Sequence, residues 1–500
     1  MSGYGGKATR RAAAALLVLA VTAGSAAAQE VIKKDYADGG VYEGTFKDGR
    51  QHGRGTYRLP NGYEYTGDWV AGEILGQGKA RFPNGSVYEG SFVKGKPDGK
   101  GKITYADGST YEGDWKNGEI EGEGTARYAN GTVYAGHFTK ALHNGKGVMT
   151  SPDGYRYEGD WVMGVKEGKG KITYPDGSTY DGSMVHGLRA GTGTLTLPDG
   201  LTYIGQWKEG EINGQGKLTQ ANGDVYEGSF VNGKREGQGI ARYANGDVYD
   251  GSFKADLRDG KGLFTGKDGY RYEGDWKAGR IEGKGTVTYP DGSVYVGSFV
   301  NNLAEGQGKI TYKDGSTYEG PWKAGVIEGK GIARYASGLI YDGEFVGGKL
   351  EGKGKMTYPD GYVYEGDWKR GVREGQGRAV YADGTVYTGG FVNGLREGTG
   401  EIVMPDGFRY KGGWKKGEID GAGVATYPNG DVYEGNFVAG KRQGQGTMRY
   451  ATGEVAEGNW ADGTLTANPP APAPEAGTGA GASTGAGQPA TTATPTNTGN

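Results

Sequence analysis
The chain has 500 residues, 105 of them glycine, no cysteine and a formal charge of -3. So much glycine, against an ordinary share of roughly 7 per cent and without collagen's every-third spacing, argues against several globular domains with separate cores. The charge balance excludes the clustered basic surface of a nucleic-acid binder, and the missing cysteines exclude a disulfide framework or a thiolate metal site.

The first segment, 1–28, places Lys7, Arg10 and Arg11 before an apolar run from Ala12 to Ala23, with Ala26-Ala27-Ala28 ahead of Gln29. This is the pattern of a secretory signal peptide cleaved after Ala28, because the run is too short for the about 20 residues a spanning helix needs. Alanines follow Arg10-Arg11, which favours general secretion over twin-arginine export. Removing three positive charges takes the formal charge from -3 to -6. The expectation is an exported protein, periplasmic or extracellular, with 29–37 as a lead-in. Zero cysteine fits an oxidising compartment.

From 38 to 466 the chain repeats every 23 residues, nineteen times without an insertion or deletion. Tyr leads each repeat, from Tyr42 and Tyr65 to Tyr433, and only Ala456 breaks the column. Gly follows two residues later, and Phe or Trp four residues later except at Met184; all nine tryptophans stand there. Such self-similarity means a repeat architecture. In the repeat that starts at Tyr65, the period-two alternation of a strand puts Tyr65, Gly67 and Trp69 on one face, with Gly67 leaving a gap for an aromatic from a neighbouring strand. Gly76, Gly78, Ala80 and Phe82 form the inner face of a second strand, and Gln77, Lys79 and Arg81 the outer. Elsewhere Tyr105, Tyr174, Tyr289 and Tyr312 continue that inner column.

Pro83-Asn84-Gly85 and relatives such as Pro175-Asp176-Gly177 predict a type I turn with a G1 bulge between repeats. A longer connection from Val70 to Leu75, with Gly72, closes the other end. The predicted fold is all-β: an elongated, solenoid-like array of stacked antiparallel hairpins in a single twisted meander sheet, about 38 strands of about six residues each. Phe and Trp alternate along their column, as in Phe46, Trp69, Phe92 and Trp115, with one slip at Phe230 and Phe253. Duplication in pairs and large-small packing both account for it. From 467 to 500 the text is Pro, Ala, Gly, Thr and Ser with one charge, Glu475, which predicts a disordered tail.

The unit resembles the MORN (membrane occupation and recognition nexus) repeat. Tyr111-Glu112-Gly113-Asp114-Trp115, Gly118, Gly122-Glu123-Gly124 and Asp107-Gly108 carry the likeness. The resemblance implies a sheet of stacked hairpins used as a scaffold or binding surface, without catalytic residues. The kinase or methyltransferase domains joined to such repeats elsewhere are not expected here. No run of four Lys or Arg is present to attract anionic headgroups.

No cofactor, metal or catalytic residue is expected. Each Gly-x-Gly opens a strand and no helix, so a nucleotide loop is excluded by context, and the Asp-Gly pairs are turns. His52, His137, His143 and His186 are too scattered for a metal cluster, and Glu112, Glu158 and Glu273 belong to a solvated, charge-paired face. The candidate interaction or packing face is Tyr65, Trp69, Tyr111, Trp115, Tyr157, Trp161, Tyr203, Trp207, Tyr272, Trp276, Tyr318, Trp322, Tyr364, Trp368, Tyr410 and Trp414. These rings are the only core available, so packing is the preferred role. The expected function is an exported, non-enzymatic scaffold for protein-protein interaction; the alternative is binding of envelope glycan or phospholipid through the aromatic face. No nucleic-acid partner is expected. Repeat nineteen has no Gly-x-Gly half, so 454–466 either folds back as a cap or forms an end-to-end homodimer. The dimer is favoured because Trp460 is a large ring to leave beside water.

Overall fold
The computed structural model describes residues 30–466. The signal peptide and the disordered tail expected from the sequence therefore lie outside the described residues. The chain divides into two compact units, one running to Pro290 and including Phe299–Asn302, the other made of Asp291–Ser298 and the chain from Leu303.

The first unit opens with Ile32–Asp35, Val41–Lys47, Arg50–Arg58, Glu64–Val70 and Glu73–Arg81, and continues in the same way to Arg280–Thr288. Each strand pairs antiparallel with its neighbours in sequence, so the unit is a meander sheet. The second unit repeats the plan from Leu303–Thr311 and Thr317–Lys323 to Val455–Ala461 and Thr464–Leu465. No helix occurs among the described residues.

The usual repeat has a short strand of seven residues and a long one of nine, longer than the six expected; the long strand is split at Glu328 and is only Thr464–Leu465 in the last repeat. The difference lies at the hairpin tip. Val70 pairs directly with Glu73, leaving only Ala71-Gly72 as the connection, with φ of 53° and 95°. Two left-handed residues in a row are the turn whose twist suits a hairpin. The expected six-residue connection is corrected on this point. At the other end the turn is as predicted: the Gly85 amide donates to the Phe82 carbonyl at 2.9 Å, the Phe82 amide to Ser86 at 2.8 Å, and Gly85 has φ 85°.

A bulge divides each hairpin. Gly67 pairs with Gly78 and Trp69 with Ile74, so Asp68 alone faces Leu75, Gly76 and Gln77. The Asp68 carboxylate fills the gap, accepting the Gln77 amide at 2.8 Å. The gap beside Gly67 is also filled differently from the expectation. Tyr65 of the same strand, not an aromatic from a neighbour, folds over Gly67 and Gly78. A Cβ on Gly78 would stand 2.6 Å from the Tyr65 Cζ. The phenol reaches past both glycines and donates to the Asp68 carbonyl at 3.0 Å. Glycine is required at both positions because the ring occupies the volume that any side chain would take.

Candidate functional site
The leading tyrosines and the Phe or Trp four residues on form a ladder of edge-to-face rings. Tyr65 meets its own Trp69 at 5.6 Å and Phe92 of the next repeat at 5.0 Å; Phe92 meets Tyr88, and Tyr88 meets Trp115, each at 5.0 Å. Such contacts contribute about 0.5–1.5 kcal/mol each beyond area burial. The indole N–H of Trp69 donates to the Gly55 carbonyl of the preceding hairpin at 3.2 Å, and Trp115, Trp207 and Trp368 repeat the bond. Met184 interrupts the row of rings while remaining buried. Burial pushes the phenols of Tyr88 and Tyr134 up to about 12 and raises that of Tyr65 as well.

The sixteen candidate residues all lie in this ladder. Tyr65, Tyr157, Tyr203, Tyr272, Tyr364 and Tyr410 are fully buried, and Tyr111 and Tyr318 nearly so. Trp69, Trp115, Trp161, Trp207, Trp276, Trp368 and Trp414 are 3–7% exposed, and Trp322 is half-buried. These rings hold each hairpin to the next, and all but the half-buried Trp322 are closed to a sugar or lipid.

Sequence reasoning missed the column that covers the rings, nine residues after each leading tyrosine. Ile74, Ile120, Ile212, Ile281, Ile327 and Ile419 occupy it in repeats that carry Trp. Cations are concentrated in the others. Arg189 lies 4.3 Å from the Trp207 ring, Arg258 4.8 Å from Trp276, Arg396 4.3 Å from Trp414 and Arg442 4.4 Å from Trp460. His143 stacks on Tyr134 at 3.7 Å and 15°, and burial lowers its pKa to about 4. Arg235 and Arg373 lie instead over Phe253 and Phe391, at 5.2 and 5.6 Å, so the pairing of cation with indole is frequent and not strict. The signal was in the sequence, as Arg and Ile sharing one column on the buried side.

The next position holds the hairpin tips. Asp98, Glu121, Glu167, Glu236 and Glu351 accept the backbone amides of Asn117, Lys140, His186, Ala255 and Arg370, each the left-handed tip residue of the following repeat, at 2.8–2.9 Å. These carboxylates are structural. On the polar face, pairs such as Lys100 with Asp114 (2.6 Å) and Lys217 with Glu227 (2.8 Å) cross neighbouring strands. The Lys100 ammonium holds the Asp114 carboxyl below the usual range. Glu112, Glu158 and Glu273 are exposed and paired with Lys102, Arg156 and Arg271. Shallow open grooves floored by glycine pairs run between the charge rows, as at Gly101, Gly113 and Gly124.

Rings that do reach solvent stand beside inter-repeat turns that carry Ala or Lys in place of Pro. Tyr105, Tyr128, Tyr312, Tyr335 and Tyr450 are 37–40% exposed, which corrects the expectation that Tyr105 and Tyr312 continue a buried column. Among the described residues no three His, Asp or Glu gather as metal ligands. The histidines lie apart: His137 faces Glu123, His186 faces Glu167, His143 covers Tyr134 and His52 accepts the Ala71 amide.

Comparison with known proteins agrees with this geometry. The MORN repeat family model matches 18 successive segments, from 42–62 to 433–455. No curated protein sequence gives a significant match. Among solved structures, the TCP domain of SAS-4 of Drosophila melanogaster, in complex with a proline-rich motif of Ana2, is 13% identical over 39% of this chain and 88% of its own, with a TM-score of 0.20. The TCP10 domain of Danio rerio CPAP is 13% identical over 52% and 95%, with a TM-score of 0.17. Virginiamycin B lyase from Staphylococcus aureus is 10% identical over 62% and 92%, at 0.11. Superpositions this poor carry no functional argument.

Proposed function
The chain belongs to the MORN repeat family, and on that premise we propose that it is an exported, non-enzymatic scaffold that binds protein partners along its repeated surface. One observation carries the reading. The ladder rings and the tip-holding carboxylates are committed to holding hairpins together, so what each repeat offers outward is the same charge-paired strip and, in many repeats, one half-exposed tyrosine. Like groups repeated at a fixed interval suit a partner that engages several repeats at once, whereas catalysis needs unlike groups at one place. Export rests on the charged, apolar and small-residue sequence of 1–28 and on the absence of cysteine. Glycan or phospholipid binding through the sixteen named rings is not retained, because fifteen of them are buried and the half-buried Trp322 is no continuous face.

The test is capture of envelope proteins by the purified chain and by a variant with Tyr312→Ser, Tyr335→Ser and Tyr450→Ser. The expected result is a partner retained by the parent and weakened in the variant, with no binding to peptidoglycan or to anionic vesicles. Equal capture by both, or binding to glycan alone, refutes the reading.

A further inference from the structure
The two ends of the described chain depart from the interior repeat in opposite ways. At the C-terminal end, Val455–Ala461 is a short strand whose described partner is only Thr464–Leu465. Thr464–Leu465 pairs only with Ala461 and Trp460, and the Thr466 amide donates to the Asn459 carbonyl at 2.8 Å. An interior long strand continues, with Gly78 to Arg81 pairing back to Gly67 to Glu64. In repeat nineteen the equivalent residues are Pro469, Pro470, Ala471 and Pro472. Three of these four are prolines, which have no backbone N–H to donate. Val455 to Gly458 thus has an inner partner, Gly446 to Arg449, and no outer strand partner among the described residues.

The N-terminal end is the missing piece. Ile32–Asp35 pairs with Val41–Gly44 in the register Ile32 to Gly44 and Asp35 to Val41. That is how the far half of an interior long strand meets the next repeat, as Gly55 to Gly67 and Arg58 to Glu64. Ile32–Asp35 is therefore a far half with no short strand before it among the described residues, and all four residues are exposed.

We propose that the two fragments complete one repeat between copies: Val455 to Gly458 of one chain pairs antiparallel with Ile32–Asp35 of a second, placing Gly458 opposite Ile32. Side-chain volume supports this register. Inside the array a tyrosine ring covers the far-half glycine so closely that a Cβ on Gly101 would stand 2.3 Å from the Tyr88 Cζ. At the joint the far-half residue is Ile32, and the leading residue is Ala456, the one repeat of nineteen without tyrosine. The room the absent ring leaves is the room an isoleucine needs. Charge agrees, since Lys33 falls opposite Glu457 on the face where Lys79 meets Glu89 at 2.5 Å. The ring alternation agrees as well. The slip at Phe230 and Phe253 lets the array begin with Phe46 and end with Trp460, so alternation continues across the joint.

A contact that uses different surfaces on its two partners is heterologous, so it builds chains or rings and does not stop at a two-fold dimer. Four paired residues make it weak, and association belongs to high protein concentration. Sedimentation and light scattering of the purified protein over a concentration series test it. The mass is expected to climb past the dimer. Ala456→Tyr is expected to weaken association on the order of ten-fold by setting a ring against Ile32, and adding Ile32→Gly to restore it. Glu457→Lys is expected to weaken it too, with recovery when Lys33→Glu is added. Thermal melts of the variants that match the parent's keep misfolding out of the comparison. A mass that stays at the monomer, a mass that stops at the dimer, or a failure of both second substitutions to restore association overturns the proposal.

Discussion

Gly78→Ala tests whether the ring over the glycine pair is what sets the repeat. The added methyl would stand 2.6 Å from the Tyr65 Cζ, so the ring must leave its seat. Leaving forfeits the phenol bond to Asp68 at 3.0 Å, a loss of about 1 kcal/mol. It also disturbs the contacts to Trp69 and Phe92, about 0.5–1.5 kcal/mol each. Alanine restricts the unfolded chain and returns about 0.4–1 kcal/mol. The net expectation is about 2 kcal/mol of local destabilisation. Hydrogen exchange of the amides in Glu64–Arg81 reads it, because repeats open locally. The stronger assay is a double-mutant cycle with Tyr65→Ala. Once the ring is gone, Gly78→Ala is expected to cost nothing further or to stabilise slightly. Additive effects of the two substitutions, within about 0.5 kcal/mol, refute the argument that ring and glycine define one another.

Three other expectations follow from the same geometry. His143 is half-buried against Tyr134 with its pKa lowered to about 4 from 6.5; the unfolded chain binds its proton first, so stability is full above pH 6.5 and is lost as pH falls towards 4. His143→Ile, the residue this column carries elsewhere, is expected to flatten the melting temperature across that window. Below it the lowered carboxyls of Asp114 and Asp160 dominate, since their contribution is lost only as pH falls through values beneath 3.8. Met184→Phe supplies the missing ring between Tyr157 and Tyr180 and is expected to stabilise by about 0.5–1 kcal/mol in urea unfolding; a loss would mean that the site is shaped for a thioether. Residues 1–28 fused to a reporter enzyme that folds only outside the cytoplasm are expected to give activity, and a silent fusion would refute export.

The interval of the array, the faces of its strands and the Pro-Asn-Gly turn were legible because each depends on residues that few others can replace. Gly85 must be left-handed, and period two fixes which way Tyr65 points. The hairpin tip was not legible. Its first residue has positive φ in Asp48, Ala71, Lys94 and Asn117 alike, since a side chain of the preceding repeat holds the tip amide in many registers and relaxes the choice of residue. Alternation alone also hid the bulge at Gly76, which lengthens the path from Ile74 to Gly78. Trp460 shows how local reasoning misled at the end. It looked like an exposed ring arguing for a dimer, yet Arg442 and Tyr433 cover it and it is 3% exposed. The candidate rings all lie in the ladder, with the packing role the sequence preferred; the column nine residues on that covers them is what pattern-reading had not joined to them.

The ring ladder also has an optical consequence. Tyrosines outnumber tryptophans 36 to 9, yet the rings stand 5.0–5.6 Å apart along the row. Chromophores at that separation pass excitation on far faster than they radiate. Light absorbed by a phenol in the row drains to the nearest indole, so the row itself glows as tryptophan. Phenol emission from the row then appears only where it has come apart, and its rise above the steady light of the tyrosines outside the row gauges how many neighbouring hairpins have parted.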